Sequence, residues 1–598
     1  MDIEKIAVNT VALALSKSDY LKPNIHSEDK ELSWDGDIEV YKKAGSMHSK
    51  SDLDIKIPVQ VKGKVSNQLN KTTICYPVQI SDMQNYLCAG GTVYFVVYIN
   101  PSGDETQTYY APMLPFELKK ILGKYGAQRT RQIQMKALPK DKDELTNVFL
   151  CFAYDMKKQK AAISSRSVTM EDLKKDGSLK KISIGYTTVP QKYSTPFDYL
   201  FDHDAYIYAQ LPHGIELPVE HLEKIEAAGT KLTASVMVNG KLFYIDYGIV
   251  YKKGITELHF GKSTTFIIEQ GKNRYKFSFS LKGTLSERIK DLEFVIEILT
   301  VQQFNVGSVV WPLKGILPGE IETFNLLKLR ESLEWLMAVK ETLDTLCVKD
   351  DLDCSKLTKD NEHNLMMLKT AILDKQAISL KGADAAFGVF NIANLKILVC
   401  TLMHDEKKKL FNVYGFNDAP LSLKVTDKRG KEYPSSIYVI LTKTSFLNCC
   451  NIDYEAMLED IKRVPFSEMY SNQLNQLFLQ MLSAYDESSP SRKDILEAAL
   501  ILSEWLKKND PYSEQDILTL NYYQVIKRKR SLEPMEIRDI LLITENQAIR
   551  EELYVGAYIL LDNYAAAKIH FDLMPSETQE IFRTYPIFHL WEQYNREA

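Results

Sequence analysis

SWDGDIEVY (33–41) and DIKIPVQVKGK (54–64), joined through the polar run AGSMHSKSD (44–52), decide how the N-terminal part of this chain is read. Both alternate, and in a strand every second side chain shares a face. Asp35, Asp37 and Glu39 therefore fall on one face, with Ile38 and Val40 on the other. In the second stretch Gln60 and Lys62 share a face, and Val59 and Val61 point the opposite way. The Gly- and Ser-containing run between them is of the kind that joins antiparallel strands. A hairpin symmetric about that run sets Asp35 opposite Gln60. A carboxylate, a side-chain carbonyl and an ammonium then meet at one end of two paired strands. Such hard oxygen donors suit Mg²⁺ or Mn²⁺, and magnesium needs only one or two carboxylates because it keeps waters and takes up substrate phosphate oxygens. A neighbouring lysine can orient a water or stabilise charge developing at phosphorus.

At these residues the chain resembles the PD-(D/E)xK nuclease superfamily, in which an Asp on one strand and an (Asp/Glu/Gln)-x-Lys on the next form the cleavage site. WDGDIE with VQVKG looks most like the prokaryotic branch with Gln in the middle position, a domain also found fused to effectors of short-Argonaute defence systems. The resemblance implies that Asp35 binds the metal, that Gln60 is the variant ligand and that Lys62 is the catalytic lysine. Asp37 and Glu39 are further candidate metal ligands on the same face. It also implies a Mg²⁺- or Mn²⁺-dependent endonuclease of anti-phage defence acting on nucleic acid; the resemblance leaves DNA and RNA both open, and DNA is expected sooner than RNA. Gln supplies a neutral oxygen where a carboxylate is commoner, so the site is expected to bind metal less tightly until substrate completes it. Glu4, in the first helical turn, is either a further ligand or a complement to the helix dipole.

The flanks are read against the αβββαβ core that the resemblance implies. IEKIAVNTVALALSKS (3–18), behind Asp2 as N-cap, has helical spacing. SDMQNYLCAGG (81–91) reads as a short helix closed by glycines and TVYFVVYINPSG (92–103) as a buried strand. APMLPFELKKILGKYG (111–126) adds a helix and NVFLCFAYD (147–155) a strand. Acids alternating with Ile and Val also describe any half-exposed strand, so a catalytically inactive nuclease-fold binding or scaffold protein is the second reading.

A chain of 598 residues, 45% hydrophobic and 26% charged, is expected to be an α/β multidomain protein of about four domains. The boundaries read are 1–160 for the nuclease-like domain and 186–320 for a β-rich domain, with a Ser- and Lys-rich linker (156–181) between them. Then follow 321–453 for helices and further strands and 454–598 for an α-helical domain. A net charge of -5 argues against unspecific coating of nucleic acid. A local basic run, KKILGKYGAQRTRQIQMK (119–136), either guides a phosphate backbone or is a solvated helix face and loop. Eight cysteines without a C-x-x-C pair indicate neither zinc site nor disulfide framework. With no basic leader and no membrane-length apolar run, a cytoplasmic location without membrane partners is expected. The ten histidines form no motif, and G-x-S-x-G and Walker A sequences are absent, which argues against nucleotide hydrolysis.

In the β-rich region Asn239-Gly240 signals a type I′ hairpin, and KSTTFIIEQGKNRYKFSFSLKG (262–283) a second one, with Tyr275, Phe277 and Phe279 on a face expected to pack rather than stack on bases. Leu326, Leu329, Leu333, Leu336 and Val339 make one helical stripe within 321–372. Strands in 376–453 either pair with the earlier ones or stand apart. Near the end, 552–582 resembles one tetratricopeptide-type helical hairpin, preceded by another at 494–530; a stacked array or a compact bundle are both open, and either offers a surface for a protein partner. The basic run Lys527 to Arg530 is a nucleic-acid contact or a solvated helix end.

Overall fold

The computed structural model describes residues 1–27, 33–165, 168–189, 193, 195, 197–270, 275–313, 325–380, 386–488, 492–546 and 549–597. The chain divides into two compact units, 1–230 with 249–257, and 231–248 with 258–598. Its class is mixed α/β with a β-rich middle and a helical C-terminal region.

The first unit is built on a seven-stranded sheet. Its strands are β1 (Leu21–Ile25), β2 (Gly36–Tyr41), β3 (Leu53–Val65), β4 (Thr73–Gln79), β5 (Thr92–Ile99), β6 (Thr106–Met113) and β7 (Thr130–Ala137), in the order β1-β2-β3-β5-β6-β7-β4. Only β3 and β5 run parallel; the other neighbours are antiparallel. All eight residues of β5 are buried, as a continuous TVYFVVYI run requires of a strand covered on both faces. Helix α1 (Ile3–Leu15) covers one face, and its N-terminus is closed by Asp2, whose carboxylate accepts from the Lys5 N–H at 3.0 Å. Ala7, Val8, Val11 and Leu15 of α1 cluster with Val59, Val61, Val93 and Phe95, and α4 (Lys142–Lys158) adds Phe149 and Phe152 to the same core. The opposite face gathers Met83 and Tyr86 of α2 (Ile80–Cys88) and Leu118 of α3 (Pro115–Tyr125) against Tyr94, Val96 and Tyr109.

The order α1-β1-β2-β3-β4-α2-β5 carries one strand more than αβββαβ: β4 leaves β3 for the far edge and pairs with β7. NVFLCFAYD is helical, not a strand, because it lies within α4. Leu145, Phe149, Phe152 and Met156 recur at helical spacing and are all buried, and the Asp141 side chain caps the helix by accepting from the Asp143 and Glu144 N–H groups at 3.1 and 2.9 Å. A smaller sheet of β8 (Lys181–Ile184), β9 (Ala205–Gln210) and β10 (Glu216–Leu222) also belongs to this unit, and Tyr206 and Tyr208 enter its core. The sequence boundary at 160–186 therefore falls inside the first unit.

A second seven-stranded sheet uses strands between Ala228 and Pro312. Asn239 and Gly240 take φ of 48° and 80° and join two of its strands, as the hairpin reading requires. In the second hairpin Phe266 pairs with Phe277 at a ring separation of 5.1 Å and also meets Tyr275, so this aromatic face is a packing face; its turn, 271–274, lies outside the described residues. The β-rich region also contains the helix Leu285–Val301, started by a Thr284/Glu287 capping box and burying Leu285, Leu292, Val295 and Leu299. The helical stripe of 326–339 lies in the helix Leu326–Thr345; residues 321–324, included in the sequence reading, lie outside the described residues. Strands of 378–415 form their own four-stranded sheet, and among the described residues none pairs with the earlier strands. From Tyr454 onward the chain is helical, and Gly556 sits at a close contact, where a Cβ would come 3.1 Å from Ile587 Cδ1. Among the described residues no helix is long and apolar enough to cross a membrane.

Candidate active site

The hairpin of β2 and β3 pairs Gly36 with Val59, Asp37 with Pro58 and Glu39 with Lys56. Just before β2 the Asp35 N–H donates to the Val59 carbonyl at 2.9 Å, and the register of Gly36 with Val59 brings the Asp35 carboxylate to the Gln60 side chain. Gly36 is required at this point: it has φ of 139°, and a Cβ there would lie 2.2 Å from the Asn24 carbonyl oxygen of β1. The glycine of WDGD thus lets the chain enter β2 flush against the edge strand and fixes where Asp35 stands.

Asp35 is held by the strand it faces. Its Oδ2 accepts from the Val61 N–H at 2.7 Å and from the side-chain amide of Gln60. Gln60 is buried, 5% exposed, so its amide is a fixed donor, and the nitrogen rather than the oxygen meets Asp35 because two acceptor oxygens would repel. The segment before Asp35 is anchored as well. Trp34 Nε1 donates to Thr92 Oγ1 at 3.0 Å. Ser33, at φ of 77°, donates to Asp82 of α2 at 2.8 Å and accepts from Asn85 at 2.9 Å. These anchors were not read from the sequence; their signal was the Ser-Trp pair directly before the acidic strand.

Asp35 and Asp37 line one cavity of about 420 Å³, together with Asn24, His26, Trp34 and Lys56. Asp37 Oδ1 is buried there without a hydrogen-bond partner among the described residues, and its nearest cation, Lys56 Nζ, stands 3.8 Å away. Glu39 is otherwise occupied: Tyr41 OH donates to it at 2.7 Å and Lys56 pairs with it at 3.0 Å. The Tyr41 hydrogen bond and Lys56 hold its carboxyl below the usual range, while the same bond pushes the Tyr41 hydroxyl up to about 12. Lys62 is exposed on the Gln60 face, and among the described residues it has no ion-pair partner. Its ammonium is therefore available to an anion from solution. Behind the site Tyr86 and Tyr94 are pushed above their ordinary values by burial, with the charges of Asp82 and Asp35 adding to the effect.

Glu4 is exposed in the first turn of α1. That helix packs against β3 at Gly63, on the face opposite Gln60 and Lys62, so Glu4 has the dipole role rather than a place among these groups.

Among the described residues no cluster of three His, Cys, Asp or Glu side chains could hold a metal ion. The donors that do converge are the hard oxygens of Asp35 and Asp37, one of them a buried oxygen with no hydrogen bond. That set fits a small divalent cation which keeps most of its waters, and does not fit one that needs a full protein cage.

Of the basic run 119–136, Lys119 donates to the Ser165 carbonyl, Lys136 pairs with Asp204 at 2.9 Å and Arg131 lies 3.8 Å over the Tyr125 ring. Lys124 lies over the same ring at 5.3 Å, so four of the six cations in this run are engaged within the unit. Lys527 to Arg530 are likewise paired, with Asp562, Asp486, Glu497 and Glu536. No protein-family model, curated protein or solved structure matches this chain.

Proposed function

We propose that the first unit is a metal-dependent phosphodiester hydrolase, an endonuclease acting on DNA in preference to RNA, in keeping with the anti-phage role its resemblance implies. The observation that carries the reading is Asp35 fixed by Gln60 and the Val61 N–H across the β2–β3 pair, with the unpaired Lys62 two residues further along the same face. Asp35 and Asp37 would hold Mg²⁺ or Mn²⁺, which when bound polarises a phosphate oxygen and acidifies a water. Gln60, whose amide nitrogen is committed to Asp35, is a positioning residue in this geometry: it keeps the carboxylate from rotating away from the cavity. Lys56 offsets the charge of Asp37 and Glu39, so that a polyanion can approach two carboxylates. Lys62 stands on the Gln60 face but outside the lining of the Asp35–Asp37 cavity, and in this reading it would reach a bound phosphate from that face and stabilise the charge growing on its oxygens.

The inactive-scaffold reading is favoured by one observation: the Asp35 oxygen that Gln60 and Val61 contact is already satisfied by the protein alone. Incubation of the purified chain with plasmid, single-stranded DNA and RNA, each with Mg²⁺, Mn²⁺ or EDTA, separates the two. The nuclease reading expects metal-dependent cleavage, strongest on DNA; no cleavage of any substrate supports the scaffold.

A further inference from the structure

A cavity of about 940 Å³ lies in the second unit, between the helices Leu285–Val301, Leu326–Thr345 and Lys359–Ile372. Its floor is apolar and buried: Leu285, Val339, Leu352 and Leu365 are each at most 4% exposed. Trp335 and Met366 stand at its rim, 37% and 55% exposed, where a chain cut off from partners would be expected to hide them. Size and lining are those of a small-molecule site rather than of a packing fault.

Arg288 makes the cavity selective. It lines the wall, and its Nε is sealed from solvent without a hydrogen-bond partner among the described residues. The residue is only partly buried, so its terminal N–H groups keep access to the cavity while Nε does not. The carboxylates that also line the cavity, Glu331 and Glu362, form no ion pair with it among the described residues. Lys328 and Lys359 add positive charge at the rim. The two terminal nitrogens, which are not sealed, present parallel N–H groups, the other edge of the guanidinium that can take a carboxylate through two hydrogen bonds.

We propose that this cavity binds an amphiphilic carboxylate, a single carboxylate on an apolar body, with Arg288 taking the head group and Trp335 covering the chain. The site belongs to the second unit and does not depend on the nuclease reading.

The test is calorimetric titration of the full chain with decanoate and with 1-decanol, the same chain without the charge. Decanoate is expected to bind about tenfold or more tightly than decanol, the range of a hydrogen bond to a charged group. Arg288→Met, which keeps the apolar stem, abolishes that preference and leaves decanol binding unchanged; Trp335→Ala weakens both ligands together. If Arg288→Met does not fold, by its circular dichroism, Arg288→Lys serves instead: it retains the charge without the fork and is expected to lose part of the preference. Equal affinity for decanoate and decanol, an unchanged preference in the Arg288 variant, or no binding of decanoate overturns the proposal.

Discussion

Gly63→Ala should lift α1 from the strand that carries Gln60 and Lys62. A Cβ at Gly63 would lie 2.6 Å from Ile3 Cγ2, 2.7 Å from the Ile3 carbonyl oxygen and 3.3 Å from Ala7 Cβ. The side-chain contact can turn aside, but the carbonyl belongs to the first turn of α1 and cannot. The helix has to move by several tenths of an ångström, and with it the contacts of Ala7, Val8 and Val11 on Val59 and Val61. Overpacking of this kind costs about 1–3 kcal/mol. For a unit of this size each kcal/mol shifts the melting temperature by about 2–4 °C, so a fall of about 2–12 °C is expected in the transition of the first unit by scanning calorimetry. Adding Ile3→Ala relieves only the Cγ2 contact and should restore part of the loss. Gly123→Ala is the control: it lies inside α3 with nothing within 4 Å of the new Cβ, and should stabilise by about 0.5–1 kcal/mol. A Gly63→Ala protein that melts with the wild type would refute the close approach of α1 to β3.

Two further predictions concern groups outside the candidate site. Burial pushes the Asp155 carboxyl up to about 7, against its hydrogen bond from Tyr208; burial would lower His221, but its pairing with Asp204 and Glu117 raises it to about 9. Ionising Asp155 costs more in the folded than in the unfolded chain, so stability falls as pH rises from about 4 to 7. His221 contributes stability below its unfolded value, lost as pH rises through about 9. The first unit should therefore melt at successively lower temperature from pH 5 to 9, and His221→Gln should flatten the part above pH 6.5; a curve that rises over this span contradicts the assignment. In the helical region Arg528 and Asp486 form a two-pronged pair at 2.7 and 2.6 Å with side chains 3% and 6% exposed. Arg528→Met strands a buried carboxylate and should cost about 3–5 kcal/mol by denaturant unfolding; a loss under about 1 kcal/mol would show that water reaches Asp486.

The elements legible in the sequence were those whose pattern is local. β5 was plain because seven apolar residues in a row after Thr92 suit a doubly covered strand, and β2 and β3 because their alternation is clean. The strands that escaped each break a local rule. β1, β4 and β6 carry Pro23, Pro77 and Pro112, which read against a strand, and β7 hides Ile133 and Met135 inside a basic run. NVFLCFAYD misled because its apolar residues satisfy both periods when the Asp141 cap is left out of the window. At the candidate site the opposition of Asp35 and Gln60 followed from the symmetry of the hairpin. That the Gln60 nitrogen faces Asp35, and that Glu39 is spent on Tyr41 and Lys56, depends on side-chain rotamers and neighbours from other turns, which no spacing encodes.

Asp35, Gln60 and Lys62 acting as one hydrolytic site is the central claim, and cleavage rates of single variants test it most directly. With plasmid DNA and Mg²⁺, Asp35→Ala and Lys62→Ala should each remove cleavage, Gln60→Leu should slow it by about tenfold or more as a charged hydrogen bond is lost, and Glu39→Gln should leave it near wild type. Cleavage that survives Asp35→Ala and Lys62→Ala but fails in Glu39→Gln would contradict the account.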